Sequence, residues 1–482
     1  MSKRKTVILI KNGNMLLVNA QSSRVKHILR RVLTYKKVEF IRGRGTSRRT
    51  ETEVPMYNED HKGRFATCYG YWKLIRDSLT SYGYRVRLRD KTQERAEAFE
   101  QFWENISQYK LRDNQPEFLE KILKYRCGRF DCPPGFGKSF MIGVVCAVLP
   151  RARVHVVTRR IPILRERIYP ELVQMVGDVG IMCSGQKKTG HRVMCYSVGM
   201  LHKVDPKSAD ILIADEVHEL ASDKAVEQLV RWQNTRNYGL SASQDMRVDN
   251  KDFRLHGLFG PIVHRVSYAQ AQAAKMVVPI RVRLTTVESS VNPCSAGQSD
   301  TQKKRFGYWQ NDFRNSLIAE DARRYPDDVQ TLITVETLEH AVYLKSKLPE
   351  YTLVYSEMGL KRENRNKYVK AGLISAEEPE MTTQRRVDLT QRFEDGRLKK
   401  AIATTVWNVG VSFNGLSVII RADGASGDIG NIQIPGRVSR THDGKEFAIL
   451  HDYRDVFDKG LMRKSQARIR RYNLEGWDVV DE

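Results

Sequence analysis

Residues 132–139 read Cys-Pro-Pro-Gly-Phe-Gly-Lys-Ser and lead directly into the apolar run Phe140–Leu149. Glycines before a lysine let backbone N–H groups curl around phosphate oxygens, and a helix that follows turns its positive end to the same anion. In that geometry Lys138 reaches the β- and γ-phosphates of ATP and the Ser139 hydroxyl takes Mg²⁺, with Pro134, Gly135, Phe136 and Gly137 forming the cradle. The general pattern G-x-x-x-x-G-K-[ST] fails only at its first position, where this chain has Cys132. Such a loop joins a strand to a helix, so its reading predicts an α/β fold.

The sequence downstream supports that prediction. From about residue 111, short apolar stretches alternate with helical ones, which implies parallel, doubly wound sheets. The clearest expected strands are Val154–Val157, Arg192–Cys195, Ile211–Ala214, Thr331–Val335, Lys400–Thr404 and Leu416–Ile420. This is too much chain for one sheet, which places a boundary near residue 272, within Ala271–Val278. Asp215-Glu216 directly follows Ile211–Ala214, 77 residues beyond Lys138. A carboxylate at the carboxyl end of a strand, facing a phosphate loop, is where Mg²⁺ is held. Asp215 is the expected metal ligand, and Glu216 is placed to orient and deprotonate an attacking water.

The chain has 482 residues and is 41 % hydrophobic, enough for packed cores, and at roughly 100 to 200 residues per domain it predicts three domains. No apolar run is long enough for a membrane span, and the amino terminus lacks the pattern of a secretory signal. Seven cysteines form no CxxC pair, which suits a reducing cytosol and argues against a zinc module. The expected location is cytoplasmic, in the host cytoplasm if the chain is phage-encoded. Lys and Arg total 81 against 57 Asp and Glu, a net charge of +24, and so basic a surface attracts nucleic acid.

That charge is concentrated. Residues 1–50 hold fourteen Lys or Arg and one acid, Glu39. Thr6–Ile10 and Met15–Val18 flank Asn12-Gly13 and read as a hairpin. Lys37–Ile41 reads as a strand, followed by an Arg- and Gly-rich loop in which Arg42, Arg44, Arg48 and Arg49 suit phosphate contacts. Trp72, Ile75 and Leu79 share a helical face, and Phe65, Tyr69, Tyr71, Tyr82 and Tyr84 are candidates for the core or for base stacking. Residues 92–110 read as a connecting helix through Phe99, Phe102, Trp103 and Ile106. Val291–Lys304 and Gly359–Gln384 read as surface insertions. Lys459–Arg471 reads as a basic helix that either tracks a phosphate backbone or presents a solvated face.

Across residues 111–455 the sequence resembles the superfamily 2 helicases, whose motifs occur here in the family's order. Leu111-Arg112-Asp113-Asn114-Gln115-Pro116 is similar to the segment whose glutamine reads adenine. Thr158-Arg159 resembles motif Ia, Tyr196-Ser197 motif Ib, and Ser241-Ala242-Ser243 motif III. Thr404-Thr405 through Gly410-Val411 resembles motif V, and Gln433 to Arg440 matches the motif VI pattern Q-x-x-G-R-x-x-R. The resemblance implies that Gln115 and Gly410 serve the nucleotide and that Thr158, Arg159, Ser197, Thr404 and Thr405 face nucleic acid. It also implies that Gln433, Arg437 and Arg440 act on the γ-phosphate from a second lobe. Pro134 stands where threonine is usual, and Ser412 where many relatives carry aspartate, so no catalytic role is assigned at 412.

The box Asp215-Glu216-Val217-His218 leans toward DNA. The compact chain, with Gly239–Ser243 and Gly257–Pro261, resembles phage recombination helicases of the UvsW type. The expected fold is thus two tandem RecA-like parallel-sheet lobes, 106–272 and 273–482, behind a small basic α+β domain, 1–105. The resemblance implies an ATP- and Mg²⁺-dependent DNA helicase or translocase, 3′ to 5′, that remodels single-stranded, forked or four-way-junction DNA in recombination, repair or replication. It implies a monomer that works beside recombination or replication proteins. The alternatives are an RNA helicase, a duplex-DNA translocase subunit without strand separation, and a DNA-binding scaffold with a degenerate ATPase.

Overall fold

The computed structural model describes residues 5–20, 22–42, 47–100, 106–242, 250–356, 362–407, 413–425 and 435–482; for 40–42, 47–49 and 362–364 it describes the backbone alone. The chain forms two compact units. The first contains Ser47–Cys132 and Gly137–Val266 together with the amino-terminal strands, and the second Ser267–Glu482 with Pro133–Phe136.

The first unit opens with a small sheet. Strands β1 (Thr6–Asn12) and β2 (Met15–Asn19) form the expected hairpin, and every second residue turns inward. Val7, Leu9, Leu16 and Val18 are thereby buried with Ile28 and Leu29 of the helix Ser23–Val32 and Ile75 and Leu79 of the helix Trp72–Ser81. Phe65 and Tyr71 belong to the same core, so neither is available to stack on a base. Next in the chain come β3 (Thr34–Arg42) and β4 (Ser47–Pro55), which pair as a separate ribbon. Then follow β5 (Tyr57–Glu59), β6 (Arg64–Cys68) and β7 (Arg85–Asp90), and the sheet order is β5-β6-β2-β1-β7. The expected Arg- and Gly-rich loop is thus shorter than its composition suggests, because Arg42, Arg48 and Arg49 lie on paired strands.

The hairpin turn fixes this sheet on the larger one. Gly13 has φ 62°, and a Cβ there would lie 2.0 Å from the carbonyl oxygen of Gln233. No other residue fits so close an approach. The Asn14 amide donates to the carbonyls of Trp232 and Thr235 at 3.0 and 2.7 Å, and the Tyr71 hydroxyl donates to Phe253 O at 2.8 Å.

The connecting helix expected over 92–110 does not begin by residue 99, although Ile106 is helical. Residues 91–95 carry no regular secondary structure and Ala96–Phe99 is a single 3₁₀ turn; 101–105 lie outside the described residues. The side chains explain this. Glu94 takes Arg126 and Arg236, Arg95 reaches Asp210 at 2.9 Å, and Arg236 lies 3.9 Å over the Phe99 ring. An irregular strap can satisfy all of these along the flank of the larger sheet, whereas a helix would turn half of them away.

That larger sheet comprises β8 (Cys127–Asp131), β9 (Val154–Thr158), β10 (Val179–Cys183), β11 (Gln186–Lys188), β12 (Val193–Ser197), β13 (Ile211–Asp215), β14 (Arg236–Ser241) and β15 (Ile262–Arg265). Its order is β11-β10-β12-β9-β13-β14-β8-β15, parallel except for the β10–β11 pair. β9, β12 and β13 are buried throughout, as strands covered on both faces must be, and their apolar runs made them legible in the sequence.

The second unit is built on β16 (Ile280–Val287), β17 (Thr331–Thr334), β18 (Thr352–Val354), β19 (Lys400–Ala403), β20 (Val418–Arg421), β21 (Ala448–Asp455) and β22 (Asp478–Asp481). Its parallel order is β18-β19-β17-β20-β21-β16-β22. Three buried arginines face three buried aspartates in its core. Arg314 meets Asp455 at 2.7 Å, Arg421 meets Asp423 at 2.9 Å, and Arg468 meets Asp452 at 2.8 Å with Asp455 4.0 Å away. Tyr472 donates to Asp452 at 2.7 Å. The charges balance, which is the condition for keeping ions out of water. Arg468 therefore belongs to the core, although it lies in the expected basic helix, here Lys459–Leu474. Among the described residues no helix is long and apolar enough to cross a membrane.

Arg468→Ala should cost about 3–5 kcal/mol in urea unfolding, because Asp452 loses its buried partner. Exposed Arg470→Ala should stay within about 0.5 kcal/mol. A second prediction concerns His155, buried against Tyr196 and Trp232, whose pKa is pushed down to about 4 by burial and then by Arg153. Between that value and the unfolded value of about 6.5, only the unfolded chain takes the proton, so stability falls as pH falls. From pH 6.5 to 5 the wild type should lose about 2 kcal/mol more than His155→Phe, measured by urea titration.

Candidate functional site

Parallel strands deliver their carboxyl ends to one edge of the sheet, and the order β13-β14-β8 sets three of those ends side by side. β8 runs into the phosphate loop, β13 ends at Asp215, and β14 ends at Ser241 between them. The loop and the acidic pair, 77 residues apart in sequence, are thus separated by a single strand.

Gly135 and Gly137 have φ of 87° and 86°, and the helix Lys138–Val148 starts at once. This succession of left-handed residues before a helix is what an anion-binding backbone concavity needs. Pro134 has no N–H to give, and the Phe136 side chain is buried, so Phe136 can serve the loop only through its backbone. The Lys138 ammonium donates to the Cys132 carbonyl at 3.3 Å and stands 4.0 Å from Glu216 Oε1. Gln115 is buried, accepts from Arg112 N at 2.9 Å, and places its Nε2 3.3 Å from where a Cβ on Gly137 would be. Its amide therefore lies against the loop.

Glu216 adopts φ 46°, ψ 51°, a left-handed conformation that costs a side-chain-bearing residue about 1–2 kcal/mol. Its carboxylate accepts from the Ser241 hydroxyl at 3.3 Å, and His218 Nδ1 lies 2.6 Å from that hydroxyl oxygen and 3.4 Å from Glu216 Oε2. Burial pushes both carboxyls of the pair up. For Asp215, burial and then the Glu216 charge prevail, and its pKa is raised. For Glu216, burial is outweighed by Lys138, His218, the Ser241 hydrogen bond and Arg167, and its pKa is lowered.

A buried carboxylate held short of compensating charge fits a divalent cation. Ser139 and Asp215 are both buried at this edge. Among the described residues no cluster of three or more His, Cys, Asp or Glu could hold a metal alone. Mg²⁺ commonly keeps waters and nucleotide phosphates as its other ligands, so two protein ligands suffice. The residues present fit Mg²⁺ with a nucleotide.

Of the expected nucleic-acid residues, Arg159 and Thr405 are exposed. Thr158, Ser197 and Thr404 are buried at strand ends and offer little side-chain surface. Gln433, Gly410 and Arg44 lie outside the described residues, and of Arg42, Arg48 and Arg49 only the backbone is described.

In the second unit, Arg437 closes the 3₁₀ turn Pro435–Arg437, and Arg440 bridges to Val277. Both are half-buried. Lys445, which the sequence reading did not single out, spans this loop. Its ammonium donates to the carbonyls of Leu416, Val438 and Arg440 at 2.6, 2.6 and 3.0 Å. Burial and then Arg440 lower its pKa to about 8. His218 and Arg167 were also missed as participants. The first stood in the quoted box, and the second had no signal beyond the arginine-rich run 165–167.

Two parallel-sheet units, one with a phosphate loop facing an acidic pair, behind a small α+β domain, give a fold of two RecA-like lobes with an amino-terminal domain. No family model matches the chain. In sequence it is 24 % identical over 389 residues to the DNA 3′-5′ translocase XPB2 of Sulfurisphaera tokodaii, covering 75 % of this chain and 84 % of that protein. In structure it is similar to a fragment of a putative HsdR subunit of a type I restriction enzyme from Vibrio vulnificus YJ016. That match has a TM-score of 0.55 and 13 % identity, and it covers 93 % of this chain and 92 % of that one. T4 UvsW matches 99 % of each chain with 15 % identity and a TM-score of 0.45.

Glu216→Gly should relieve the left-handed backbone and raise the stability of the first unit by about 1 kcal/mol in urea unfolding. An unchanged or lower midpoint would show that the Ser241 and His218 contacts outweigh the strain.

Proposed function

We propose that this chain is an ATP-driven DNA helicase or translocase. The observation that carries the reading is the edge formed by β13, β14 and β8, where Lys138, Ser139 and the Asp215-Glu216 pair converge on one phosphate-binding loop. Bound ATP with Mg²⁺ would supply the phosphoanhydride whose cleavage drives movement. The loop N–H groups and Lys138 bind phosphate oxygens, and Ser139 and Asp215 hold the cation. Glu216, kept ionised by Lys138 and His218, accepts the proton of the attacking water. Gln115 serves the base, and Gln433, Arg437 and Arg440 act on the γ-phosphate, the arginines by neutralising charge that develops there. Lys445 holds the carbonyls of Val438 and Arg440 and so steadies the loop that carries the arginines.

DNA as the track is supported by the net charge of +24 and by the similarity to a DNA translocase. That relative's name supports 3′ to 5′ movement, and the UvsW-like sequence features support branched DNA as substrate, in recombination, repair or replication. Arg159 and Thr405 are the exposed motif residues that would meet the track, and Arg42, Arg44, Arg48 and Arg49 the basic residues that would meet a duplex.

The test is steady-state ATP hydrolysis without nucleic acid and with single-stranded DNA, duplex DNA, a four-way junction and RNA at one salt concentration. Stimulation should be greatest with branched DNA. Lys138→Ala should lower the stimulated rate by about 100-fold or more while DNA affinity is retained. Preferential stimulation by RNA would move the chain to the RNA helicases, and hydrolysis absent throughout would sink the motor reading.

A further inference from the structure

The small sheet of the first unit has one face under helices and one open, and the open face carries a charge pattern of its own. Strand β7 reads Arg85-Val86-Arg87-Leu88-Arg89-Asp90 and runs parallel to β1, with Arg85 beside Thr6, Arg87 beside Ile8 and Arg89 beside Ile10. Val7 and Leu9 point into the core, so Ile8 and Ile10, and with them the three arginines, belong to the opposite face. All three arginines are exposed. The strand registers place Leu17 and Ala66 further across the same face, half-buried.

The arginines form no ion pair among the described residues, whereas several other cations of this domain are held by an acid or a ring. Arg64, on the far side of the face, is held by Asp60 at 2.6 Å. In the helix Ser23–Val32, Arg30 and Lys26 turn to Glu59, and Arg24 and Arg31 lie over the Tyr82 ring. Asp90 faces the other way and takes Lys11 at 2.7 Å. The registers put no carboxylate and no aromatic ring among the described residues of this face. Alternate residues of a strand stand about 6.7 Å apart, so the row spans about 13 Å. A duplex presents about four phosphates of one strand over that length of its axis.

We infer that Arg85, Arg87 and Arg89 are a binding site for the phosphate backbone of duplex DNA, outside the motor and outside the basic residues of 1–50. Three guanidinium groups in line, without a neutralising acid, repel one another until a polyanion covers them, and arginine matches phosphate geometry. The apolar strip beside the row can lie against sugars but offers no ring on which an unpaired base could stack. Such rings are the usual mark of a single-strand platform, so the fit is to a duplex backbone. The site rests on the DNA-motor reading and gives it a grip on the duplex that rides with the first unit.

The test uses the full chain as wild type, as R85Q/R87Q/R89Q, and as K459Q/R463Q/R470Q, which removes the same charge from exposed positions of the carboxyl-terminal helix. Affinities for duplex and for single-stranded DNA are measured across a salt series. For duplex DNA the β7 variant should bind more weakly, with a log-log salt slope smaller by about 2 to 3, since each phosphate contact contributes about 0.9. Its hydrolysis without DNA and its unfolding midpoint should match the wild type. An unchanged slope, an equal fall in the charge-matched control, or a loss as large on single-stranded DNA would overturn the site while leaving the motor reading intact. A wild-type chain with no affinity for DNA would overturn both.

Discussion

Parallel pairing constrains everything at the candidate site. A parallel strand must be followed by a crossover before its neighbour can be laid down, so successive strands all point the same way and leave their carboxyl ends on one edge. Within the first lobe this puts the ends of β13, β14 and β8 in adjacent slots. Chemistry that needs a phosphate cradle, a metal-binding carboxylate and a proton acceptor can then be assembled from loops distant in sequence but next to one another in space. The left-handed Glu216 follows from the same constraint. The chain must leave β13 sharply enough to keep its carboxylate at the edge beside Ser241, at the end of the neighbouring strand.

Polar groups inside each lobe are used to fix direction. In the first, Ser241 and His218 hold Glu216, and the two carboxyls separate because burial and the Glu216 charge raise Asp215 while Lys138, His218 and Ser241 lower Glu216. In the second, the balanced set of three arginines and three aspartates locks the ends of β20 and β21 beneath the helix Lys459–Leu474, and Lys445 ties together the carbonyls around Arg440. Both arrangements are costly to bury, and in the second the charges balance, three arginines against three aspartates.

The residues that announce this chemistry were legible because their spacing is dictated by backbone geometry. The loop Cys132–Ser139, the apolar strand before Asp215 and the buried runs of β9 and β12 could be read directly. What could not be read arises from neighbours far apart in sequence. The segment 92–110 read as helical through Phe99, Phe102, Trp103 and Ile106, but the conformation of 91–99 is set by Arg126, Arg236 and Asp210. Thr158, Ser197 and Thr404 sit in motifs, yet the ends of their strands are packed over. Lys445 carries no signature, since its three acceptors come from two separate loops. The arginines of β7 owe their common face to the pairing with β1, which no local pattern announces.

The seat of the Gly13–Asn14 turn sets how this molecule can be divided. Five short strands and two helices make a meagre core, and part of its surface is closed by Phe253, Trp232 and their neighbours on the larger sheet. Such a module melts together with the body it is docked on. Cutting the chain near residue 100 would strip the cover from those side chains and leave two sticky faces in place of one seam. The amino-terminal domain is therefore best treated as a limb of the first lobe, to be altered by point changes on its outer face.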